Sequence, residues 1–352
     1  MASRHNVWLT FLSQHHLTPS LFSQLSKFDQ DYVAACYTLD LANGNTITSR
    51  NISSQCIKNY LQAARISKRV NTLSNSDELT FPPLIQDILT KHAKKESVPN
   101  RREPVTVNML NHWNTLALAS PDIDSLESSQ FDWFVLGMLA GFRKSEWLQD
   151  TYEYKKTKTF QTNIDHTTRA FIAQDFEILA LPTSNISHDK KPPHKNLQLQ
   201  ICWRFQKNNQ NGQKITFVQN TNNPRFCPVL AAQRILARAK RLNIPTTAPL
   251  AAYKKEGMLC YLDHLTIESS IKKCAAHVYD ITSPSKLKLY SCHSIRVGAC
   301  VLLHSTQPDP LYIQFRLRWR SQSFISYLRN TPRLATLHNS ILNTTNSDDT
   351  HI

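Results

Sequence analysis

Glycine is scarce, with 6 in 352 residues where an average protein carries about 7%. Loops that cradle phosphates need closely spaced glycines to bring backbone N–H groups against the anion. Only Gly137 and Gly141 stand close together, and they lack the following Lys-Ser/Thr of a Walker A loop. Kinase, nucleotide triphosphatase and Rossmann dehydrogenase chemistry are therefore disfavoured. Long apolar runs are missing too: Phe134 to Ala140 and Val297 to Leu303 fall far short of the roughly 20 residues that span a bilayer. The first 25 residues hold no signal-peptide core, so neither membrane insertion nor secretion is expected. The eight cysteines form no CxxC pair and no Cys/His ligand spacing. They read as small core residues in a reducing compartment, with no metal site.

Acidic residues are also in short supply: 26 Asp and Glu face 41 Lys and Arg, a formal net charge of +15. Such an excess points to a polyanionic partner, and nucleic acid leads. At this length and with 41% hydrophobic residues, two domains of ordinary size with real cores are expected.

Residues 1–97 read as a helical unit built from Pro19 to Thr38, Ser53 to Lys68 and Pro83 to Lys94. The polar, Pro-broken stretch from Lys94 to Pro104 marks a boundary, with the linker placed at 98–104. In the second unit, 105–332, Thr106 can cap a helix through Trp113, and another helix covers Phe131 to Ala140. From Leu197 the period changes to two, with Leu197, Leu199, Ile201, Trp203 and Phe205 on one face; NNQNG then turns the chain back into Ile215 and Phe217. Helices resume at Pro228, at Leu265 to Tyr279 and at Ser291 to His304. The expected fold is mainly α with a small antiparallel β-sheet: a helical domain followed by a helix-rich α+β domain. Residues 333–352 form a tail.

Residues 286–334 carry Lys286, Lys288, Arg296, Arg316, Arg318, Arg320, Arg329 and Arg333 against Asp309 alone, interleaved with Tyr312, Trp319, Phe324 and Tyr327. This pattern fits a surface that grips backbone phosphates, and Lys286, Lys288, Arg318 and Arg320 are the expected DNA contacts. Arg234, Arg238 and Arg241 make a second stripe on one helix face, read first as solvated and second as DNA-facing.

Four pieces carry chemistry together: Gly141-Phe142-Arg143-Lys144-Ser145-Glu146, Lys207 at the hairpin, His293-Ser294-Ile295-Arg296, and Arg318-Trp319 followed by Tyr327. Two guanidiniums can clamp a phosphate and stabilise a pentavalent transition state. A tyrosine can supply the nucleophilic oxygen, a histidine can take its proton, and a lysine can protonate the leaving oxygen. His293 and Arg296 share a face in the first turn of a helix that Ser291 can cap. Lys207 is in phase with the apolar face of its strand, with Lys214 across the turn as the alternative.

In this order the residues from Arg102 to Arg329 resemble the tyrosine recombinases of the phage-integrase type. Arg143 in GFRKSE is similar to the family's first catalytic arginine and Glu146 to the acid that buttresses it. Lys207 resembles the hairpin lysine, His293 and Arg296 the His-x-x-Arg pair, Trp319 the His/Trp position, and Tyr327 the nucleophile. The block RWRSQSFISYLR, with Trp in place of His, and the NPRFCPV segment most resemble eukaryotic mobile-element recombinases of the Crypton type; Gly-His before the tyrosine is absent, and Phe142 stands where Leu is usual. The resemblance implies cleavage and rejoining of double-stranded DNA through a 3′-phosphotyrosyl intermediate, without metal, ATP or other cofactor. It also implies a tetramer on DNA, a clamp formed by the two domains, and a nuclear setting if the host is eukaryotic. Two alternatives stay open: a type IB topoisomerase, and a domesticated copy that binds DNA without cutting it.

Overall fold

A computed structural model of the chain describes residues 2–45, 52–71, 81–96, 101–149, 168–180, 197–206, 211–306, 309–319 and 322–328. It divides into two compact units, Met1–Pro99 and Asn100–Ile352. The architecture is mainly α with small antiparallel sheets of three and two strands.

The first unit consists of α1 (Ala2–Gln14), α2 (Pro19–Gln24), α3 (Lys27–Asn43), α4 (Ser54–Asn71) and α5 (Pro83–Lys95). Its core joins Trp8, Phe11 and Leu12 of α1 to Tyr37 and Leu41 of α3, Ile57 and Leu61 of α4, and Ile85 and Leu89 of α5. The helix expected over Pro19 to Thr38 is broken. Leu25 is extended, and Ser26 starts α3 by accepting a hydrogen bond from the Asp29 N–H. Serine at that position caps a new helix better than it continues an old one.

The second unit is built around α7 (Leu126–Ala140), which packs against α6 (Val107–Ala119), α9 (Pro228–Arg241) and α12 (His293–Thr306). Ser125 caps α7, so it begins a turn earlier than expected. Phe131, Trp133, Phe134, Val135, Leu136 and Met138 are all buried, together with the polar Ser129, Gln130 and Asp132, so the helix is covered on nearly every side. Strands β1 (Phe176–Ala180), β2 (Leu197–Trp203) and β3 (Gln213–Val218) form the antiparallel sheet in that order. Leu199 faces Phe217 and Ile201 faces Ile215 on the buried side. Gly212, at φ +81°, closes the hairpin and donates to the Trp203 carbonyl at 2.8 Å. Strand β1 gave no sequence signal as clear as that of β2.

The remaining elements are β4 (Ala252–Lys255) and β5 (Met258–Tyr261), then α10 (His264–Tyr279), α11 (Pro284–Leu287) and α13 (Pro310–Arg316); α8 (Lys144–Trp147) is a single turn. A 3-10 turn, Gln322–Tyr327, follows α13. None of the eight cysteines is in a disulfide, and Cys227, Cys274, Cys292 and Cys300 are buried. Among the described residues no helix is long and apolar enough to cross a membrane.

Candidate active site

Helix α7 ends at Gly141, whose φ of +59° is the left-handed conformation of a C-terminal cap. Phe142 then anchors the turn in the core, and Arg143 becomes the N-cap of α8. Three residues on, Glu146 reaches back so that its Oε2 accepts the Arg143 N–H at 2.9 Å. Its Oε1 accepts from Arg143 Nη1 at 2.9 Å, while Oε2 also takes Trp203 Nε1 from β2 at 3.2 Å and Arg318 Nη2 at 3.1 Å. Burial alone would push this carboxyl up, but Arg318, Arg143 and the Arg143 N–H outweigh it and hold Glu146 below the usual carboxylate range.

Helix α12 presents the second piece. The Ser291 hydroxyl accepts from the His293 N–H at 3.3 Å, and the Ser294 hydroxyl accepts from the Ser291 N–H at 3.0 Å. Arg296 is buried; its Nη1 donates to the Gly141 carbonyl and its Nη2 to the Leu317 carbonyl at 2.7 Å. Its guanidinium lies 4.4 Å from the Trp319 ring centre. Burial and the neighbouring Arg143 and Arg318 bring Arg296 down to about 9, which leaves it cationic at neutral pH. Burial, reinforced by Arg296, Arg102 and Arg143, lowers His293 to about 4, so its imidazole is neutral at pH 7.

The third piece follows α13. Leu317 ends that helix, Arg318 turns the chain at φ +57°, and Trp319 leads toward the 3-10 turn holding Tyr327. The Tyr327 ring lies 5.3 Å from Trp319 and meets His293 edge-on at 5.2 Å. A small core of Ala299, Cys300, Ile313, Leu317 and Phe324 supports this corner. Trp319 Nε1 is buried and has no hydrogen-bond partner among the described residues.

His293, Tyr327, Trp319 and Arg296 thus form a chain of contacts, each against the next. Arg143 lies beside them, with its Nη2 donating to the Arg318 carbonyl at 3.3 Å, next in sequence to the Leu317 carbonyl that Arg296 uses. Lys207 and Arg320 lie outside the described residues. Lys214 is exposed on β3, paired in register with Cys202. The alternation used to orient Lys207 stops at Trp203: Phe205 is half-buried and Gln206 is buried. Lys286 and Lys288 are exposed in and just after α11.

Two expectations are corrected. Arg318, expected to contact DNA, has a side chain that is 0% exposed. It pairs with Glu146, donates to the Ala140 carbonyl at 2.9 Å and stacks 3.8 Å from the Trp203 ring centre. The stripe on α9 is neither a solvated face nor a row of free cations. Arg238 is buried against Asp132 at 2.9 Å and Asp124 at 3.7 Å, Arg234 pairs with Asp132 at 2.6 Å, and Arg241 pairs with Asp124 at 2.6 Å. The carboxylate partners lie about a hundred residues upstream, where no local spacing reveals them.

The side chains that sequence reasoning missed are Trp203, which donates to Glu146, and Arg318 in its buried role. The alternation of β2 placed Trp203 on the inward face, but nothing local indicated its partner. The carbonyls of Gly141 and Leu317, which orient Arg296, leave no mark on side-chain patterns.

No family model and no curated protein matches the chain. Among solved structures, the chain is similar to the Tn1549 transposon integrase in complex with transposon right end DNA, at 12% identity over 88% of this chain and 84% of that chain, with a TM-score of 0.46. It is also similar to the same integrase in complex with circular intermediate DNA, at 12% identity over 88% and 84%, with a TM-score of 0.43.

Proposed function

We propose that the chain is a tyrosine recombinase that cleaves and rejoins double-stranded DNA through a phosphotyrosyl intermediate. The observation that carries this reading is the run of ring and guanidinium contacts from His293 to Tyr327 to Trp319 to Arg296, with Arg143 held beside it by the hydrogen bond from its Nη2 to the Arg318 carbonyl. A tyrosine packed against a neutral imidazole beside a fixed pair of guanidiniums has the parts for attack on a phosphodiester.

In this reading the scissile phosphate binds between Arg143 and Arg296. Their N–H groups stabilise the charge that accumulates on its non-bridging oxygens. His293, unprotonated at pH 7, takes the Tyr327 phenolic proton as the oxygen attacks. The phosphorus–oxygen bond to the 5′ side breaks, and Lys207 gives the leaving 5′ oxygen its proton. The freed hydroxyl of a partner strand later attacks the phosphotyrosyl ester and reseals the DNA. Trp319 packs the Arg296 guanidinium and turns its indole N–H toward the phosphate. Exposed Lys286 and Lys288, together with Arg320, supply backbone contacts, and assembly is as a tetramer on two sites. The finer kinship with Crypton-type elements rests on the block RWRSQSFISYLR and the NPRFCPV segment.

The test is incubation with a nicked suicide duplex followed by denaturing electrophoresis. A covalent protein–DNA adduct in the wild type, lost in Tyr327→Phe and in Arg143→Ala with DNA binding retained, is the expected result. DNA binding without any adduct would favour the non-cutting alternative.

A further inference from the structure

The buried centre holds more positive charge than a two-arginine clamp requires. Among the described residues, Arg143, Arg296 and Arg318 surround one carboxylate, Glu146, while His293 is neutral. The sum is +2, and the two oxygens of Glu146 are divided between its neighbours. Oε1 takes the Arg143 guanidinium; Oε2 takes Arg318, the Trp203 indole and the Arg143 backbone. Arg318 is committed to the Glu146 carboxylate and the Ala140 carbonyl and lies against Trp203, whereas Arg296, also buried, donates to carbonyls and lies against Trp319. Arg318 also occupies the left-handed region at φ +57°, which non-glycine residues seldom adopt. That same turn aims its carbonyl at Arg143 Nη2.

We propose that Arg318 is a positioning residue that acts as the counter-ion of Glu146, allowing Glu146 to hold Arg143 in place without neutralising it. The centre around Arg143 and Arg296 then keeps a net charge of +2 for an incoming dianionic oxyanion. This inference rests on the strand-cleavage reading for its biological use. The charge arrangement itself does not. Pairing Glu146 with Arg143 alone would leave the centre one charge poorer, at the moment a pentavalent phosphate carries two negative charges. The Arg318 guanidinium remains protonated at neutral pH although burial lowers it to about 10.

The experiment measures binding of inorganic tungstate, a dianionic oxyanion, to the full chain by calorimetry at low salt, with a thermal melt for every variant. Arg143→Ala, which removes one arm of the clamp, should abolish the binding and so locate it. Arg318→Met should weaken tungstate at least about tenfold, since a charge removed from a water-poor centre is poorly screened. Glu146→Gln combined with Arg318→Met restores the net charge and should recover affinity to within about threefold of the wild type; Arg318→Lys should recover most of it. A role in packing alone predicts the reverse order, with the double variant no better than Arg318→Met. Should Arg318→Met fail to fold, Arg318→Gln, which keeps a donor toward Glu146, takes its place in the comparison. Equal binding by wild type and Arg318→Met, no recovery in the double variant, or no tungstate binding by the wild type overturns the proposal. The nicked-duplex assay separates this from the wider reading: if that reading is wrong, no variant forms an adduct while the tungstate ranking stands. If only the proposal is wrong, Arg318→Met cleaves as the wild type does below its melting temperature.

Discussion

Replacing Gly298 with alanine tests how tightly α12 must be seated. Gly298 lies two residues after Arg296 and five after His293, where the helix meets the segment before α6. The Val105 N–H donates to the Ser294 carbonyl at 2.9 Å, so this segment runs directly along the helix. A Cβ at 298 would press into the Val105 carbonyl oxygen and come within 2.8 Å of Met138 Sδ. Met138 can rotate away, but the backbone oxygen cannot. Helix propensity alone favours alanine by about 1 kcal/mol, whereas overpacking a filled core costs about 1–3 kcal/mol. The helix must therefore shift, and because the clash is with backbone the upper end of that cost applies: about 3 less about 1 leaves a net loss of about 2 kcal/mol, a fall in melting temperature of about 4–8 °C for a unit of this size. The same shift moves His293 and Arg296, and a displacement of about 1 Å at reacting groups costs on the order of 100-fold in rate. Thermal melts and single-turnover adduct formation read the two effects. An alanine variant that melts at or above the wild-type temperature and cleaves at its rate would refute this account of the helix contact.

Three further outcomes are expected. Because the folded-state pKa of His293 is depressed to about 4 from 6.5, the unfolded chain takes up this proton first; the associated stability is present above pH 6.5 and is lost as pH falls toward 4, by up to about 3 kcal/mol. Melts from pH 7.5 to 4 should show this slope in the wild type and a shallower one in His293→Gln. Trp319→Phe removes a buried N–H without a partner among the described residues while keeping a ring against Arg296, so stability should hold or rise by about 1 kcal/mol. If that N–H serves the phosphate, adduct formation should fall by about tenfold or more, and an unchanged rate would assign the indole to packing. Arg238→Met breaks a buried pair with Asp132 and should cost about 3 kcal/mol in urea denaturation with the salt slope of DNA binding unchanged; a shallower slope would mean Arg238 touches phosphate after all.

What could be read from the sequence follows the range of the interactions involved. The caps at Thr106 and Ser291, the glycine at the end of α7 and the hairpin of β2 and β3 are set by neighbours a few residues away, and the structure has them. The i, i+3 spacing of His293 and Arg296 is of the same local kind. Arg234, Arg238 and Arg241 were misread because a stripe of arginines looks alike whether it faces water, DNA or a carboxylate brought in by α7 and the loop before it. Arg318 was misread for a related reason. Its neighbours Arg316 and Arg320 suggested a basic surface, while its backbone conformation and its pairing with Glu146, 172 residues away, are products of the fold. Leu25 and Ser26 show a local signal that was present but outweighed, since a helical apolar pattern continued across a good capping residue.

The most direct measurement is the identity of the residue that becomes attached to DNA. Proteolysis of the trapped adduct and mass spectrometry of the nucleotide-bearing peptide should find the link on Tyr327, whose ring contacts both His293 and Trp319. Tyr290 is buried with its phenol pushed up to about 12, and Tyr312 is exposed on α13; a link on either of them, on a serine, or on no residue in a chain that binds the duplex would contradict the account.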